Sequence, residues 1–135
     1  MSAPPLDVTA VDEAVEAGAE RAFAFLERLV AEPSVVGHEA SAQDVVAEEF
    51  ARLGFSLERP PIPEDIADHD GAGVPLASYV GRRNVVGRQG PDVGRSLLLG
   101  GHIDVVPPAE PDLWTDPPFV PFVATGGCTV AAPAT

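Results

Sequence analysis

The most informative stretch of the chain is Ser96-Leu97-Leu98-Leu99-Gly100-Gly101-His102-Ile103-Asp104-Val105-Val106-Pro107. Its leucine run is apolar on both faces, which is typical of a strand buried inside a sheet that helices cover. The strand is expected to end at the two glycines, so that His102 and Asp104 follow it directly. Residues two apart in an extended chain lie on the same side. We therefore expect both side chains to face one pocket at the carboxyl end of the strand, where open α/β sheets place their sites.

Two helices are predicted in the first half of the chain. The first is expected to begin at Thr9, as its N-cap, and to end before Pro33, which cannot continue a helix. The second is expected from about Glu39 to Leu53, with Gly54 capping it in the left-handed conformation. Apolar residues recur at helical spacing in both segments: Val15, Ala19, Ala22, Leu26, Leu29 and Val30, then Ala42, Val45, Val46, Phe50 and Leu53.

Three runs are predicted to form strands. Phe55–Glu58 alternates as a short strand does, and residues 60–78 are a loop rich in proline and glycine. Asn84–Arg88 and Ser96–Leu99 flank a turn-rich bridge, so we expect them to pair as an antiparallel hairpin. Helices leading into strands, one of them central, indicate an α/β sandwich.

The composition bounds the class of protein. The 135 residues allow one domain at most, and 21 acidic residues against 8 basic ones give a net charge of −13. All eight basic residues are arginines, too few to favour nucleic acid or an anionic membrane surface as a partner. No membrane span or secretory signal is expected, and the single cysteine, Cys128, excludes an internal disulfide. These features predict a cytoplasmic protein.

The pair His102 and Asp104 leaves two interpretations open. An imidazole at a strand end can bind a metal, with the carboxylate orienting a ligand or a catalytic water. On spacing alone, however, such a histidine is more often a hydrogen-bonded structural residue. The chain would then be a non-enzymatic α/β interaction module in which His102 and Asp104 satisfy each other.

A longer pattern around this pair resembles a family signature. It is similar to the first metal-binding motif of the zinc-dependent exopeptidases and deacylases that include acetylornithine deacetylase, succinyl-diaminopimelate desuccinylase and carboxypeptidase G. The resemblance covers about residues 15–123. The segments that carry it are Ser96–Leu99, Gly101–Pro107, Trp114–Phe119, Pro33-Ser34 before Gly37-His38-Glu39, and Tyr79–Gly87.

The resemblance implies an α/β fold that is an incomplete α/β/α sandwich, the N-terminal part of a two-zinc exopeptidase-like catalytic domain, with cobalt as a possible substitute metal. His102 would be a ligand of one zinc, and Asp104 would be the catalytic-site carboxylate that orients it. The implied reaction is hydrolysis of an amide in a small N-acylated amino acid or peptide, by zinc-bound water with a glutamate base. Trp114 and Phe119 would be packing residues. A homodimer is expected only with the family's further domain.

The other ligands of the family pattern do not follow in this sequence. The pattern needs a bridging aspartate, a Glu-Glu pair and further acidic and histidine ligands, and a catalytic zinc normally has three protein ligands. His38 is expected at a helix start on the surface, and His69 in a solvated acidic loop. Cys128 is assigned no role. The chain alone is therefore expected to be inactive.

The C-terminal part departs from the family pattern. We divide the chain into a flexible lead-in (1–8), the N-terminal part of the catalytic domain (9–123) and an aberrant tail (124–135). In the family, the segment matched by Pro118–Pro121 is followed by Asp-Gly-x-Leu-Tyr-Gly-Arg-Gly-Ala-x-Asp-Met. With GC-rich codons assigned to Gly127–Thr135 and a TGA stop after them, reading from the last base of the Gly127 codon gives Leu-Tyr-Gly-Arg-Gly-Ala-Gly-Asp-Met. This predicts a frameshift between about Phe122 and Gly127; an unrelated natural terminus is the alternative.

Overall fold

The computed structural model describes residues 7–72, 78–91, 93–114, 116–124 and 127–129. Within these ranges, helices and short antiparallel strands make a mixed α/β fold, with strand pairs β1–β2 and β3–β4. The elements are α1 (Val8–Val30), α2 (Ala40–Arg52), β1 (Ser56–Glu58), β2 (Val86–Arg88), β3 (Phe122–Ala124) and β4 (Gly127–Thr129), with 3₁₀ turns at Glu64–Asp68 and Pro111–Leu113.

The first helix begins earlier than the sequence predicts. Asp7 is the N-cap, and its carboxylate accepts a hydrogen bond from the Ala10 amide at 3.3 Å. The prediction of Thr9 as the cap is wrong, since Thr9 already lies in the first turn. Asp7 is favoured because its negative charge also interacts well with the positive end of the helix dipole. Val8 of the predicted lead-in is helical, and residues 1–6 lie outside the described ranges.

The second helix agrees with its prediction at both ends. Glu39 and Leu53 are its cap residues, and Gly54 follows with φ +80°, the left-handed conformation expected there. Ala42 and Val45, both on the predicted inner face, are buried. Because α2 contacts both α1 and β1, it forms the centre of the small core.

The partner of β2 differs from the prediction. β2 pairs antiparallel with β1, with Leu57 opposite Gly87, and the predicted hairpin between Asn84–Arg88 and Ser96–Leu99 is wrong. After α2, the Phe55 amide donates to the Phe50 carbonyl at 3.0 Å, which turns β1 back along the helix. The two phenylalanine rings stack with centroids 5.1 Å apart. They lie against Gly87, so β2 can approach only where a side chain is missing.

The leucine run is not a strand in this structure. Leu97, Leu98 and Leu99 are 83%, 91% and 83% exposed, and no described residue pairs with them. A strand that is apolar on both faces needs a neighbour on each side and a covering layer, and the described residues supply neither. The sequence also did not predict β3 and β4, whose backbones pair antiparallel; β4 lies within the segment assigned to the aberrant tail. Residues 125–126 and 130–135 of that tail lie outside the described ranges.

Candidate metal-ligand site

The segment that carries His102 and Asp104 is held by the loop between α1 and α2. Val105 forms a parallel bridge with Val35, and its amide donates to the Ser34 carbonyl at 3.0 Å. The Ser34 hydroxyl donates to the Ile103 carbonyl at 2.8 Å. Ser34 is only 3% exposed. Two segments of the family pattern, the one with Ser34 and the one with His102, are therefore in direct contact. The sequence alone did not predict this contact.

His102 and Asp104 lie together, as their spacing predicts. The Nδ1 atom of His102 is 3.0 Å from the main-chain oxygen of Asp104 and 3.4 Å from its Oδ1. A carbonyl oxygen only accepts hydrogen bonds, so Nδ1 carries the proton in this contact. An imidazole with its single proton on Nδ1 has its lone pair on Nε2. The His102 side chain is 85% exposed, which leaves this nitrogen accessible to a ligand.

This geometry fits one ligand of a metal site. Metal-binding histidines generally donate their second ring nitrogen to a carbonyl or carboxylate, which fixes the tautomer and the ring orientation. In the structure the main-chain oxygen of Asp104 is the closer acceptor, and the predicted carboxylate is the more distant one. Within the described residues, no three His, Cys, Asp or Glu side chains come together. The described part of the chain thus offers one zinc ligand with its orienting residue and does not supply a complete donor set.

The structure gives the other residues singled out in the sequence different surroundings from those of His102. His38 is exposed beside the start of α2. The Nδ1 of His69 accepts from the Gly71 amide at 3.1 Å, so this ring is part of a local turn. Trp114 and Phe119 are half-buried. The side chain of Cys128 lies outside the described atoms.

A polar cavity of about 290 Å³ lies at the start of α2. Glu39, which is buried, accepts from the Gly37 amide at 2.9 Å and from the Arg82 guanidinium. Asp44 pairs with Arg59 at 2.6 Å in the same cavity. Each carboxylate faces a guanidinium. The two ion pairs therefore connect the segment between β1 and β2, which carries both arginines, to the start of α2.

Neither helix in the described ranges combines the length and the apolar character that crossing a bilayer requires.

Comparison with known proteins identifies the family. No family model matches the chain. The chain is 33% identical over 101 residues to a succinyl-diaminopimelate desuccinylase of Paracidovorax citrulli (strain AAC00-1), a match that covers 75% of the chain and 24% of that relative. It is 39% identical over 104 residues to one of Methylobacterium sp. (strain 4-46), covering 77% and 23%. One of Methylorubrum extorquens is 37% identical over 104 residues, covering 77% and 24%.

All three relatives are named as desuccinylases, which are a class of deacylase. The chain belongs to the family of acetylornithine deacetylase and succinyl-diaminopimelate desuccinylase, and the resemblance predicted from its sequence is confirmed. The chain spans about a quarter of the length of the curated relatives it matches.

Proposed function

We propose that the chain supplies the first metal-binding segment of a zinc-dependent hydrolase that cleaves the amide bond of small N-acylated amino acids or peptides. Family membership supports the class of reaction. The observation that carries the proposal is the contact of His102 Nδ1 with Asp104, which leaves Nε2 on an exposed ring. When bound, zinc supplies a Lewis acid and lowers the pKa of its water.

In this proposal, His102 and Asp104 have separate tasks. His102 binds one of two zinc ions, or cobalt in its place, through Nε2. Asp104 accepts a hydrogen bond from Nδ1–H, which keeps the ring in the tautomer that can bind and makes Nε2 more basic. Asp104 Oδ1 lies 3.4 Å from Nδ1, and a small rotation of the carboxylate would bring it within hydrogen-bond distance.

The finer fold follows from the same proposal. Leu97–Leu99 would be a central strand of an α/β/α sandwich, covered by the part of the relatives' length that this chain does not span. Since the described residues supply one histidine where a catalytic zinc needs three ligands, the chain by itself would be inactive. An N-succinyl diamino acid is the first substrate to test, because the relatives are named for that activity.

A chimera tests the proposal. The matching segment of the Paracidovorax citrulli relative is replaced by that of this chain, and hydrolysis of N-succinyl-diaminopimelate is measured with added zinc. We expect the chimera to be active and His102→Ala to abolish turnover. Asp104→Asn should lower metal affinity by about 10- to 100-fold, the usual effect of removing an orienting partner. His69→Ala is the matched control and should leave the rate unchanged, because His69 serves a local turn.

Two outcomes would refute the enzyme assignment. One is a folded chimera without hydrolysis, and the other is full activity in the His102→Ala chimera. Either result would favour the non-enzymatic interaction module, in which His102 and Asp104 only stabilise their own loop.

A further inference from the structure

We infer that Ser34 is a positioning residue for the metal ligand: its side chain and main chain together fix the backbone at Asp104 and, through it, the orientation of the His102 ring. The inference rests on the proposed function, because the orientation of His102 matters for activity only if that ring binds the metal.

Ser34 holds both peptide groups that flank the Cα atom of Asp104. Its hydroxyl donates to the Ile103 carbonyl at 2.8 Å, which belongs to the peptide group before Asp104. Its carbonyl accepts from the Val105 amide at 3.0 Å, which belongs to the peptide group after it. Each peptide group is planar, so the only soft rotations between the two are the φ and ψ of Asp104. Holding both planes therefore restricts those two angles.

The second of these peptide groups also contacts the histidine. Its oxygen is the Asp104 carbonyl that lies 3.0 Å from His102 Nδ1. The bond is trans, so its N–H and C=O point in opposite directions. With the Val105 amide directed to Ser34, the Asp104 carbonyl is directed away from Ser34 and toward the imidazole. The hydrogen bonds form a chain in which each polarises the next.

The position of Ser34 suits it to this task. It is 3% exposed and lies in the short loop between α1 and α2, so the helices fix its location. Its hydroxyl contact joins residues 69 apart in the sequence, so it is a tertiary contact and not a local turn. Removing the hydroxyl would leave the Ile103 carbonyl without this donor while the main-chain bond to Val105 remains.

The test uses the whole 135-residue chain, labelled with ¹⁵N, and compares Ser34→Ala, Ser34→Thr and the control Ser41→Ala. Ser41 is exposed on α2, so its loss removes the same hydroxyl from another site. The ring nitrogens of His102 are measured by NMR at about pH 8, where an ordinary imidazole is neutral. His102→Gln identifies the His102 signals among those of the three histidines.

We expect Ser34→Ala to lose the fixed Nδ1-protonated tautomer of His102, with the His38 and His69 signals and the helical circular dichroism unchanged. Ser34→Thr keeps a hydroxyl and should retain the wild-type tautomer. In the chimera described above, which restores the other ligands, Ser34→Ala should weaken zinc binding about tenfold.

The outcomes separate the two proposals. An unchanged His102 tautomer in Ser34→Ala overturns the positioning role. Loss of helical signal in both Ser34 variants also overturns it, because Ser34 would then serve stability alone. A folded chimera without hydrolysis refutes the proposed function, while the tautomer comparison in the 135-residue chain still decides the role of Ser34.

Discussion

Gly87→Ala is expected to destabilise the chain through a single added methyl group. A Cβ atom at Gly87 would lie 2.6 Å from Phe50 Cδ2 and 3.0 Å from Phe55 Cδ1. These separations are far below the roughly 3.5–4.0 Å at which carbon atoms attract each other. Because the two rings stack on each other, neither can move away without displacing its partner. The backbone of Gly87 lies outside the left-handed region, so steric overlap is the main effect of the change.

The magnitude follows from two opposing terms. Overpacking of this kind costs about 1–3 kcal/mol. Replacing glycine by alanine restricts the unfolded chain and returns about 0.4–1 kcal/mol. With both terms taken at the middle of their ranges, the net loss in the free energy of unfolding is about 1.3 kcal/mol. With a urea slope of about 1.5 kcal/mol per molar, the midpoint should fall by about 1 M.

The assay is urea unfolding followed by far-ultraviolet circular dichroism, with Gly18→Ala as the control. Gly18 is in α1, and a Cβ built there meets no atom within 4 Å. Alanine at this helical position should raise the free energy of unfolding by about 0.5–1 kcal/mol. The two substitutions add the same methyl group and are expected to act in opposite directions. A midpoint for Gly87→Ala equal to or above that of the wild type would refute the packing of the phenylalanine pair over β2.

Three further predictions concern the helix start, the buried ion pair and the leucine run. Asp7→Ala should lower the free energy of unfolding by about 1 kcal/mol, whereas Thr9→Ala should change it by less than about 0.5 kcal/mol; equal urea midpoints would show that Asp7 is not the cap. Glu39→Ala should cost about 2 kcal/mol, because it leaves the half-buried Arg82 guanidinium without its carboxylate, and a midpoint like that of the wild type would contradict this. The wild-type chain should self-associate in sedimentation velocity because Leu97–Leu99 is an exposed apolar run, and Leu98→Asp should reduce that association; a monomeric wild-type chain, or association unchanged by Leu98→Asp, would contradict this.

The site shows both what a sequence pattern can predict and where it stops. The two-residue spacing predicts that His102 and Asp104 lie together, and the structure brings them into contact. The spacing did not predict that the main-chain oxygen of Asp104 would be the closer acceptor. It also gave no role to Ser34, although the family resemblance included that residue. The hydrogen bond from Ser34 to Ile103 joins distant positions and depends on how the helices pack, which a local sequence pattern cannot predict.

The C-terminal ends of both helices, the acidic character of the chain and its family can be inferred from the amino acids alone. Proline after α1 and Gly54 after α2 act through the conformations available to single residues, so their effect can be predicted without knowing the rest of the fold. Three further features depend on contacts between distant segments: β2 pairs with β1, Ser34 holds the Asp104 segment, and Leu97–Leu99 remains exposed. Strand pairing and burial each depend on two segments that come into contact. A local sequence pattern describes only one of the two, so it cannot predict which partner a strand will have.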